Sequence, residues 1–133
     1  MKANTLQGLR VFVVEDNRMV AASLVEALKY ADATVVGVID NLEEAIAFVE
    51  RRHREIDIAM LDVDLSGVMS YPIADMLQKH AVPFIFTTGY DNASMDRAYR
   101  SFPVCMKPFN LDSIVSAIRG VLDSGKTANR RPD

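Results

Sequence analysis

Several features are scarce in this chain, and each scarcity excludes a class of protein. The only cysteine, Cys105, excludes an internal disulfide and a zinc site built from cysteines. No apolar run approaches the length of a membrane span, and the first five residues lack the hydrophobic core of a signal peptide. We therefore expect a cytoplasmic protein with no membrane contact.

Positive charge is also short, because 15 lysines and arginines stand against 18 acidic residues and leave a formal net charge of −3. A nucleic-acid-binding domain usually carries a basic field, so we expect no nucleic-acid partner. The remaining composition is that of an ordinary globular protein, 50% hydrophobic and 25% charged. A chain of 133 residues is long enough for one domain with an ordinary core.

Short apolar runs alternate with segments in which apolar residues recur at helical spacing. The runs predict strands at 11–14, 34–39, 56–62, 84–87 and 102–106. The helical segments lie at 20–31, 42–49, 73–81 and 111–122, with a short polar helix predicted at 92–99. Candidate helix caps are Asp40 or Asn41, Ser70, and Asn110 or Asp112. Because the strands show little in/out alternation, we expect a parallel sheet covered on both faces, a doubly wound α/β fold.

The predicted domain covers residues 9–123 and follows a lead-in at residues 1–8. From residue 124 onward the chain is rich in Gly, Lys, Asn, Arg and Pro, with no apolar residue beyond Ala128. Such a segment cannot bury enough apolar surface to offset the entropy of ordering. Residues 124–133 are therefore expected to form a disordered tail.

Polar residues stand at the carboxyl ends of the apolar runs. Ligands of an open parallel sheet bind beyond the carboxyl ends of its strands, so residues at these ends are expected to be neighbours. The residues are Glu15, Asp16, Asp62, Asp64, Thr88 and Lys107. Together they make a cluster of acids with one hydroxyl and one ammonium group.

This set of side chains suits phosphoryl chemistry. Carboxylates packed together repel one another unless a hard cation joins them, and Mg²⁺ prefers such oxygen ligands. Lys107 adds a positive charge and Thr88 a donor for a phosphoryl oxygen, so both can stabilise charge that develops in phosphoryl transfer. Asp62 can be the nucleophile, which would give an aspartyl phosphate.

Each residue taken alone also has a simpler interpretation. An acid at a strand end is more often a helix cap or a turn former, and Lys107 alone could be a solvated surface lysine. His53 and His80 are too isolated in the sequence to indicate a metal site. The joint occurrence of acids, hydroxyl and lysine at four strand ends favours a functional site.

Four pieces of the sequence resemble the receiver domain of two-component response regulators, the CheY-like family. They are Val13-Val14-Glu15-Asp16-Asn17, Leu61-Asp62-Val63-Asp64-Leu65, Thr87-Thr88-Gly89 and Lys107-Pro108-Phe109. All four in this order and at these separations are specific, although each alone is weak. The resemblance covers about residues 9–123 and implies a flavodoxin-like (βα)5 fold with strands in the order 2-1-3-4-5.

The resemblance also implies a role for the acidic residues. Asp62 is expected to accept phosphate from a histidine kinase or a histidine phosphotransfer protein. Asp16 and Asp62 are expected to ligate Mg²⁺ with the backbone carbonyl of Asp64, while Glu15 acts mainly through water. Such a receiver is not an enzyme beyond phosphorylating itself and removing its own phosphate.

Signal transmission is expected to depart from the usual pattern of the family. By the resemblance, Thr88 follows the phosphoryl group and Lys107 pairs with it. Many receivers carry a Tyr or Phe three residues before the lysine, and this chain has Val104 there. Transmission is therefore expected to rely on Thr88, on Tyr90 or on the loop before the fourth helix, and Tyr90 is expected to screen attacking water.

A narrower resemblance points to a subgroup of alphaproteobacterial single-domain regulators. The stretch Pro83-Phe84-Ile85-Phe86-Thr87-Thr88-Gly89-Tyr90 is similar to the Phe-Ala-Thr-Gly signature of that subgroup, with Thr87 in place of the alanine. Ser70-Tyr71-Pro72-Ile73-Ala74-Asp75 resembles it as well. A stand-alone receiver of this kind is expected to signal through protein contacts.

The expected partner surface lies around Arg97, Tyr99 and Arg100, near the fourth helix, and a monomer or weak dimer is expected. Two other functions stay open on the sequence alone. Asp62-Val63-Asp64 resembles the nucleophile motif of haloacid-dehalogenase-type phosphatases, although that motif normally ends the first strand. The absence of an aromatic residue at Val104 would also fit a receiver-like module that binds partners without phosphate.

Overall fold

The computed structural model describes residues 6–89 and 95–128. These residues form strands and α-helices that alternate along most of the chain. The elements are β1 (Arg10–Val14), α1 (Arg18–Tyr30), β2 (Thr34–Ile39), α2 (Leu42–Arg52), β3 (Ile58–Asp62), β4 (Asp64–Leu65), β5 (Val68–Met69), α3 (Tyr71–Lys79), β6 (Phe84–Thr88), β7 (Val104–Met106) and α4 (Leu111–Ala128). Short 3-10 turns lie at His53–Glu55 and Arg97–Tyr99.

Five of the described strands form a parallel sheet in the order β2-β1-β3-β6-β7. This order is the predicted 2-1-3-4-5 arrangement once the two short strands β4 and β5 are left out of the numbering, so the doubly wound α/β prediction is confirmed. β4 and β5 pair antiparallel with each other as a separate hairpin directly after β3. The hairpin was not predicted.

The sheet has a hydrophobic core on each face, and successive residues of its central strands point alternately into the two. Phe12, Leu61 and Phe86 enter the core under α2 and α3. Val13 and Met60 enter the core under α1 and α4. Because both faces are covered, both sets of side chains are apolar, which explains the absence of in/out alternation in the sequence.

Asparagine side chains begin several helices. Asn17 accepts a hydrogen bond from the backbone N of Val20 at 3.0 Å, and Asn41 accepts one from Glu44 N at 2.9 Å. Asn110 accepts one from Ser113 N at 2.8 Å before α4. Of the paired candidates, Asn41 and Asn110 are therefore the residues that satisfy the free amides of the first helical turn.

Several predicted boundaries require correction, and β3, for example, begins at Ile58 and not at residue 56. α4 continues to Ala128, so residues 124–128 are helical and not part of a disordered tail; residues 129–133 lie outside the described residues. A lack of apolar residues excludes packing, but each added residue can still extend the hydrogen-bond ladder of an existing helix. The last strand, β7, begins at Val104 and not at residue 102.

The fourth predicted helix, at 92–99, lies partly outside the described residues, which omit 90–94. Its described part is the 3-10 turn Arg97–Tyr99, begun by Asp96, whose carboxylate accepts from Ala98 N at 3.2 Å. Among the described helices, none has the length and apolar character needed to cross a membrane.

Candidate functional site

The sheet brings the predicted site residues to one edge. β1 ends one residue before Glu15, β3 ends at Asp62, β6 ends at Thr88, and β7 ends one residue before Lys107. The strands are parallel and in register at these ends, with Asp62 opposite Thr87 and Thr88 opposite Met106. Residues up to 92 positions apart, as Glu15 and Lys107 are, therefore become neighbours.

Lys107 lies at the centre of this edge. Its Nζ is 3.0 Å from Asp62 Oδ2 and 3.0 Å from Glu15 Oε1. Its backbone N donates to the carbonyl oxygen of Thr88 at 2.8 Å, which ties the residue to the end of β6. The peptide bond from Lys107 to Pro108 is cis. One ammonium group thus joins the carboxylates at the ends of two different strands.

The carboxylates around this lysine are withdrawn from solvent. Glu15 is 2% exposed and Asp62 5%, and Thr88 is also buried. Backbone amides support both acids: Asn17 N donates to Glu15 Oε2 at 3.1 Å, and Asp64 N donates to Asp62 Oδ1 at 3.3 Å. Buried charges require such partners, because leaving one unpaired is costly.

Burial and the contacts with Lys107 shift the pKa of Asp62 in opposite directions, and burial and the contacts with the carboxylates do the same for Lys107. The pKa of Asp62 is raised to about 7, first by burial and then by the neighbouring Glu15 carboxylate, while Lys107 acts to lower it. Burial lowers the pKa of Lys107, but its hydrogen bonds to Glu15 and Asp62 outweigh burial and raise the value. Without further positive charge, the site therefore holds Asp62 partly protonated at neutral pH.

The acidic residues fit a hard divalent cation. Glu15, Asp16 and Asp62 each offer a carboxylate oxygen, and these three atoms lie within 4.8 Å of one another. The carboxylate of Asp64 is not in this group; it accepts a hydrogen bond from Gly67 N at 2.6 Å. Oxygen donors at such separations suit Mg²⁺, whose positive charge would also favour ionised Asp62.

The structure adds Ser66, a residue that the sequence did not single out. Its Oγ donates a hydrogen bond to Asp16 Oδ2 from the turn between β4 and β5. Ser66 and Gly67 both have positive φ, 55° and 94°. A Ser-Gly pair between the short runs Asp64–Leu65 and Val68–Met69 is the available sequence signal for such a turn.

Of the residues expected to transmit a signal, Thr88 and Val104 lie among the described residues and Tyr90 does not. Val104 is partly buried in β7 and packs against the core under α2 and α3. Aromatic rings that pack against the same core come from other elements: Tyr71 of α3 stacks on Tyr99 with 4.2 Å between ring centroids.

Hydrogen bonds strengthen this contact between α3 and the 3-10 turn. Tyr99 Oη donates to Asp75 Oδ1 at 2.8 Å, and Asp96 N donates to Tyr71 Oη at 2.9 Å. Arg97 and Arg100, which belong to the predicted partner surface, are exposed on the same turn. α3 therefore positions the segment that carries these arginines.

His53 and His80 are far apart in the sequence but meet in the fold. Their rings stack with 3.8 Å between centroids, because the C-terminal ends of α2 and α3 lie side by side. His53 Nδ1 is 3.1 Å from Val49 O. Within the described part of the chain, the one group of three or more potential metal ligands is the Glu15 cluster, which excludes this pair.

A family model of the response regulator receiver domain matches residues 11–119. The chain belongs to this family. The receiver is 30% identical over 116 residues to the sensory transduction protein LytT of Bacillus subtilis, a match that covers 84% of this chain and 47% of LytT. The chain thus spans about half the length of the curated relatives it matches.

Solved receivers have the same fold. SdrG from Sphingomonas melonis Fr1 superposes with a TM-score of 0.77 and 36% identity, over 92% of this chain and 99% of SdrG. The BeF3-activated conformation of SdrG gives a TM-score of 0.75 at 37% identity, over 85% and 95%. The signal receiver domain of a modulated diguanylate cyclase from Desulfovibrio desulfuricans G20 gives 0.78 at 31%, over 90% and 97%. These findings confirm a CheY-like receiver of two-component signalling.

Proposed function

We propose that this receiver takes a phosphoryl group onto Asp62 from a phosphohistidine of a histidine kinase or a histidine phosphotransfer protein. The observation that carries this proposal is the position of Asp62. It ends the central strand β3, is buried, and contacts Lys107 beside the carboxylates of Glu15 and Asp16. Three acids and a lysine that converge at one sheet edge, with a raised Asp62 pKa, are typical of a functional site.

The proposed reaction is an in-line displacement at phosphorus. A carboxylate oxygen of Asp62 forms a bond to phosphorus as the bond from phosphorus to the histidine nitrogen breaks, and that nitrogen keeps the electron pair. The product is an acyl phosphate on Asp62 and a free imidazole. Lys107, already 3.0 Å from Asp62 Oδ2, balances negative charge on the phosphoryl oxygens, and the Thr88 hydroxyl donates to one of them.

Mg²⁺ is the proposed cofactor, and it would neutralise charge on the phosphoryl oxygens. Asp16 and Asp62 would hold it together with the backbone carbonyl of Asp64. Glu15, whose carboxylate is engaged by Lys107 and Asn17 N, would act through an intervening water. The side chain of Asp64 closes the turn instead, through its bond to Gly67 N.

The proposed output is protein contact, from a receiver that works in the cytoplasm as a monomer or weak dimer and catalyses only its own phosphorylation and dephosphorylation. With Val104 in place of an aromatic residue, Thr88 and Tyr90 would carry the change in the site toward the exposed Arg97 and Arg100 and the partly buried Tyr99 between them. Membership of the narrow alphaproteobacterial subgroup is proposed on the stretch from Phe84 to Gly89, and the match to SdrG from Sphingomonas melonis Fr1 covers 99% of SdrG.

The proposal is tested with a small acyl-phosphate donor and Mg²⁺, with phosphorylation followed by intact-protein mass spectrometry. We expect one phosphoryl group on the wild type and none on Asp62→Ala. Asp57→Ala is the matched control, because Asp57 lies five residues before the end of β3, pairs with Arg10 and should leave labelling unchanged. Absence of phosphorylation on the wild type would contradict the proposed reaction, and equal labelling of Asp62→Ala would show that Asp62 is not the acceptor.

A further inference from the structure

The hairpin directly after Asp62 is built to hold a fixed shape. Leu65 pairs with Val68, which leaves Ser66 and Gly67 as a two-residue loop. Both loop residues have positive φ, as the type I′ turn that suits a β-hairpin requires. Gly67 N also donates to Asp64 Oδ1 at 2.6 Å across the turn. The position of Ser66 is therefore set by the backbone around it.

The hairpin is held by one hydrogen bond at its base and by another from its tip to the acidic cluster. At its far end, Ser70 N donates to the carbonyl oxygen of Val63 at 2.9 Å, which holds the hairpin close to the end of β3. At its tip, Ser66 Oγ donates to Asp16 Oδ2, a residue 50 positions away that follows β1. The tip thus reaches from β3 across to the loop of β1.

The three clustered carboxylates are supported unequally. Glu15 and Asp62 are buried, share Lys107, and each accept a backbone amide. Asp16 is half-exposed, and among the described residues the one hydrogen bond shown for its carboxylate comes from Ser66. A carboxylate that is free to rotate loses conformational entropy when it is fixed by a cation, so Asp16 is the member of the cluster that most needs a positioning contact.

We propose that Ser66 is a positioning residue that holds Asp16 ready for the divalent cation. The inference rests on the proposed function, because that function supplies the need for a cation. An ionised carboxylate accepts about four hydrogen bonds, so the Ser66 contact leaves room for a metal on the same group. Hydrogen bonds to metal ligands commonly set ligand orientation, and their removal weakens metal binding by about 10- to 100-fold.

The test is Mg²⁺ binding measured by isothermal titration calorimetry on the wild type, Ser66→Ala and Ser66→Gly. Both variants lack the hydroxyl, but they act oppositely on the turn, since glycine relieves the positive φ and alanine does not. We expect both to bind Mg²⁺ about tenfold more weakly than the wild type. Val68→Ala, an exposed change in the same hairpin, is the control and should bind like the wild type.

A second measurement separates positioning from a purely structural effect. In Mg²⁺-free buffer the melting temperature of Ser66→Gly should not fall below that of the wild type. Addition of Mg²⁺ at a concentration that saturates the wild type should raise the melting temperature of the wild type more than that of the variant. Wild-type affinity in Ser66→Gly overturns the inference, even if Ser66→Ala binds weakly, because the backbone of the turn would then be the cause. A wild type that binds no Mg²⁺ would contradict the proposed function itself.

Discussion

At the scale of single residues, Lys107 makes this site possible. Glu15 and Asp62 are both buried, and two carboxylates facing each other away from water would repel strongly. The ammonium group lies 3.0 Å from each of them and offsets part of this repulsion. The pKa of Asp62 nevertheless remains raised, to about 7, first because the carboxyl group is buried and then because Glu15 is close. The ionised form of Asp62 is therefore disfavoured where the cation and the phosphoryl group are proposed to bind.

This imbalance predicts that Asp62→Asn stabilises the protein in Mg²⁺-free buffer at pH 8. The pKa of Asp62 is about 7 in the fold, against 3.8 ordinarily, so folding favours the protonated form. Stability from this group is complete below pH 3.8 and is lost as the pH rises through 7. Asparagine cannot ionise, so we expect its free energy of unfolding at pH 8 to exceed that of the wild type by about 1–3 kcal/mol.

Urea denaturation at pH 8 and at pH 5.5 measures this effect, with the same change at Asp57 as the control. The advantage of Asp62→Asn should shrink at pH 5.5, where Asp62 is already mostly protonated. Asp57→Asn should destabilise, because the pKa of Asp57 is lowered by the hydrogen bond from Arg10 and its ionised form is the favoured one. An Asp62→Asn protein less stable than the wild type at pH 8 would contradict the conclusion that the fold disfavours ionised Asp62.

At the scale of elements, the contact between β2 and α2 depends on a glycine. The rings of Phe12 and Phe48 stack with 4.4 Å between centroids, and Phe48 lies directly over Gly37. A Cβ at position 37 would approach two atoms of the Phe48 ring to 2.9 Å. We expect Gly37→Ala to lower the free energy of unfolding by about 1–3 kcal/mol, because the ring must move within a packed core.

Chemical denaturation checks this prediction, and Gly120→Ala is the matched control. Gly120 lies inside α4, and a Cβ there would meet nothing within 4 Å. In a helix interior alanine is more favourable than glycine by about 1 kcal/mol, so Gly120→Ala should stabilise the protein. If both variants have the stability of the wild type, the expected clash between a Cβ at position 37 and the Phe48 ring does not occur.

The contact between α3 and the 3-10 turn gives another prediction at this scale. Tyr99→Phe removes the hydrogen bond to Asp75 and keeps the ring stacked on Tyr71. A hydrogen bond to a charged acceptor contributes about 1.5–3 kcal/mol, but this bond is exposed, so we expect a loss below that range, about 1 kcal/mol. The loss should be local, seen as faster hydrogen exchange of the amides of Tyr99 and Phe102, which bond within this turn.

Tyr30→Phe is the control for this measurement, because Tyr30 lies in α1 and its side chain is 65% exposed. It removes a phenol hydroxyl without changing the 3-10 turn, so exchange there should match the wild type. Unchanged exchange in Tyr99→Phe would mean that the bond to Asp75 does not hold the turn.

At the scale of the whole molecule, one sheet joins two hydrophobic cores. The central strands supply alternate side chains to both cores, so loss of these strands from one core also disrupts the other. Leu77 of α3 and Leu28 of α1 lie fully buried in opposite cores. We expect Leu77→Ala and Leu28→Ala each to cost about 2–5 kcal/mol and to leave one cooperative transition.

Thermal unfolding followed by far-ultraviolet circular dichroism and by tyrosine fluorescence measures this cooperativity. The two probes should give the same midpoint in each variant, as a two-state transition requires. Separate midpoints in either variant would show that the two layers unfold independently.

Local sequence patterns were sufficient for most elements of the fold. The run 34–39 is β2 with the predicted bounds, because a β-branched run between turns is a strong local signal. The predicted end of α4 was wrong, because extension of the helix past residue 124 depends on the helix already formed before it and not on local composition. The β4–β5 hairpin was missed because its strands have two residues each, too few to show a period.

The sequence by itself determined the chemistry available to this protein: the acids, the threonine and the lysine, and the strand ends at which they stand. These follow from composition and from periods of a few residues, which are local properties. Only the tertiary structure decided which atoms meet: Lys107 between Glu15 and Asp62, Ser66 on Asp16, and the rings of His53 and His80 together. Such contacts depend on strand order and turn geometry, which place residues tens of positions apart within hydrogen-bond reach.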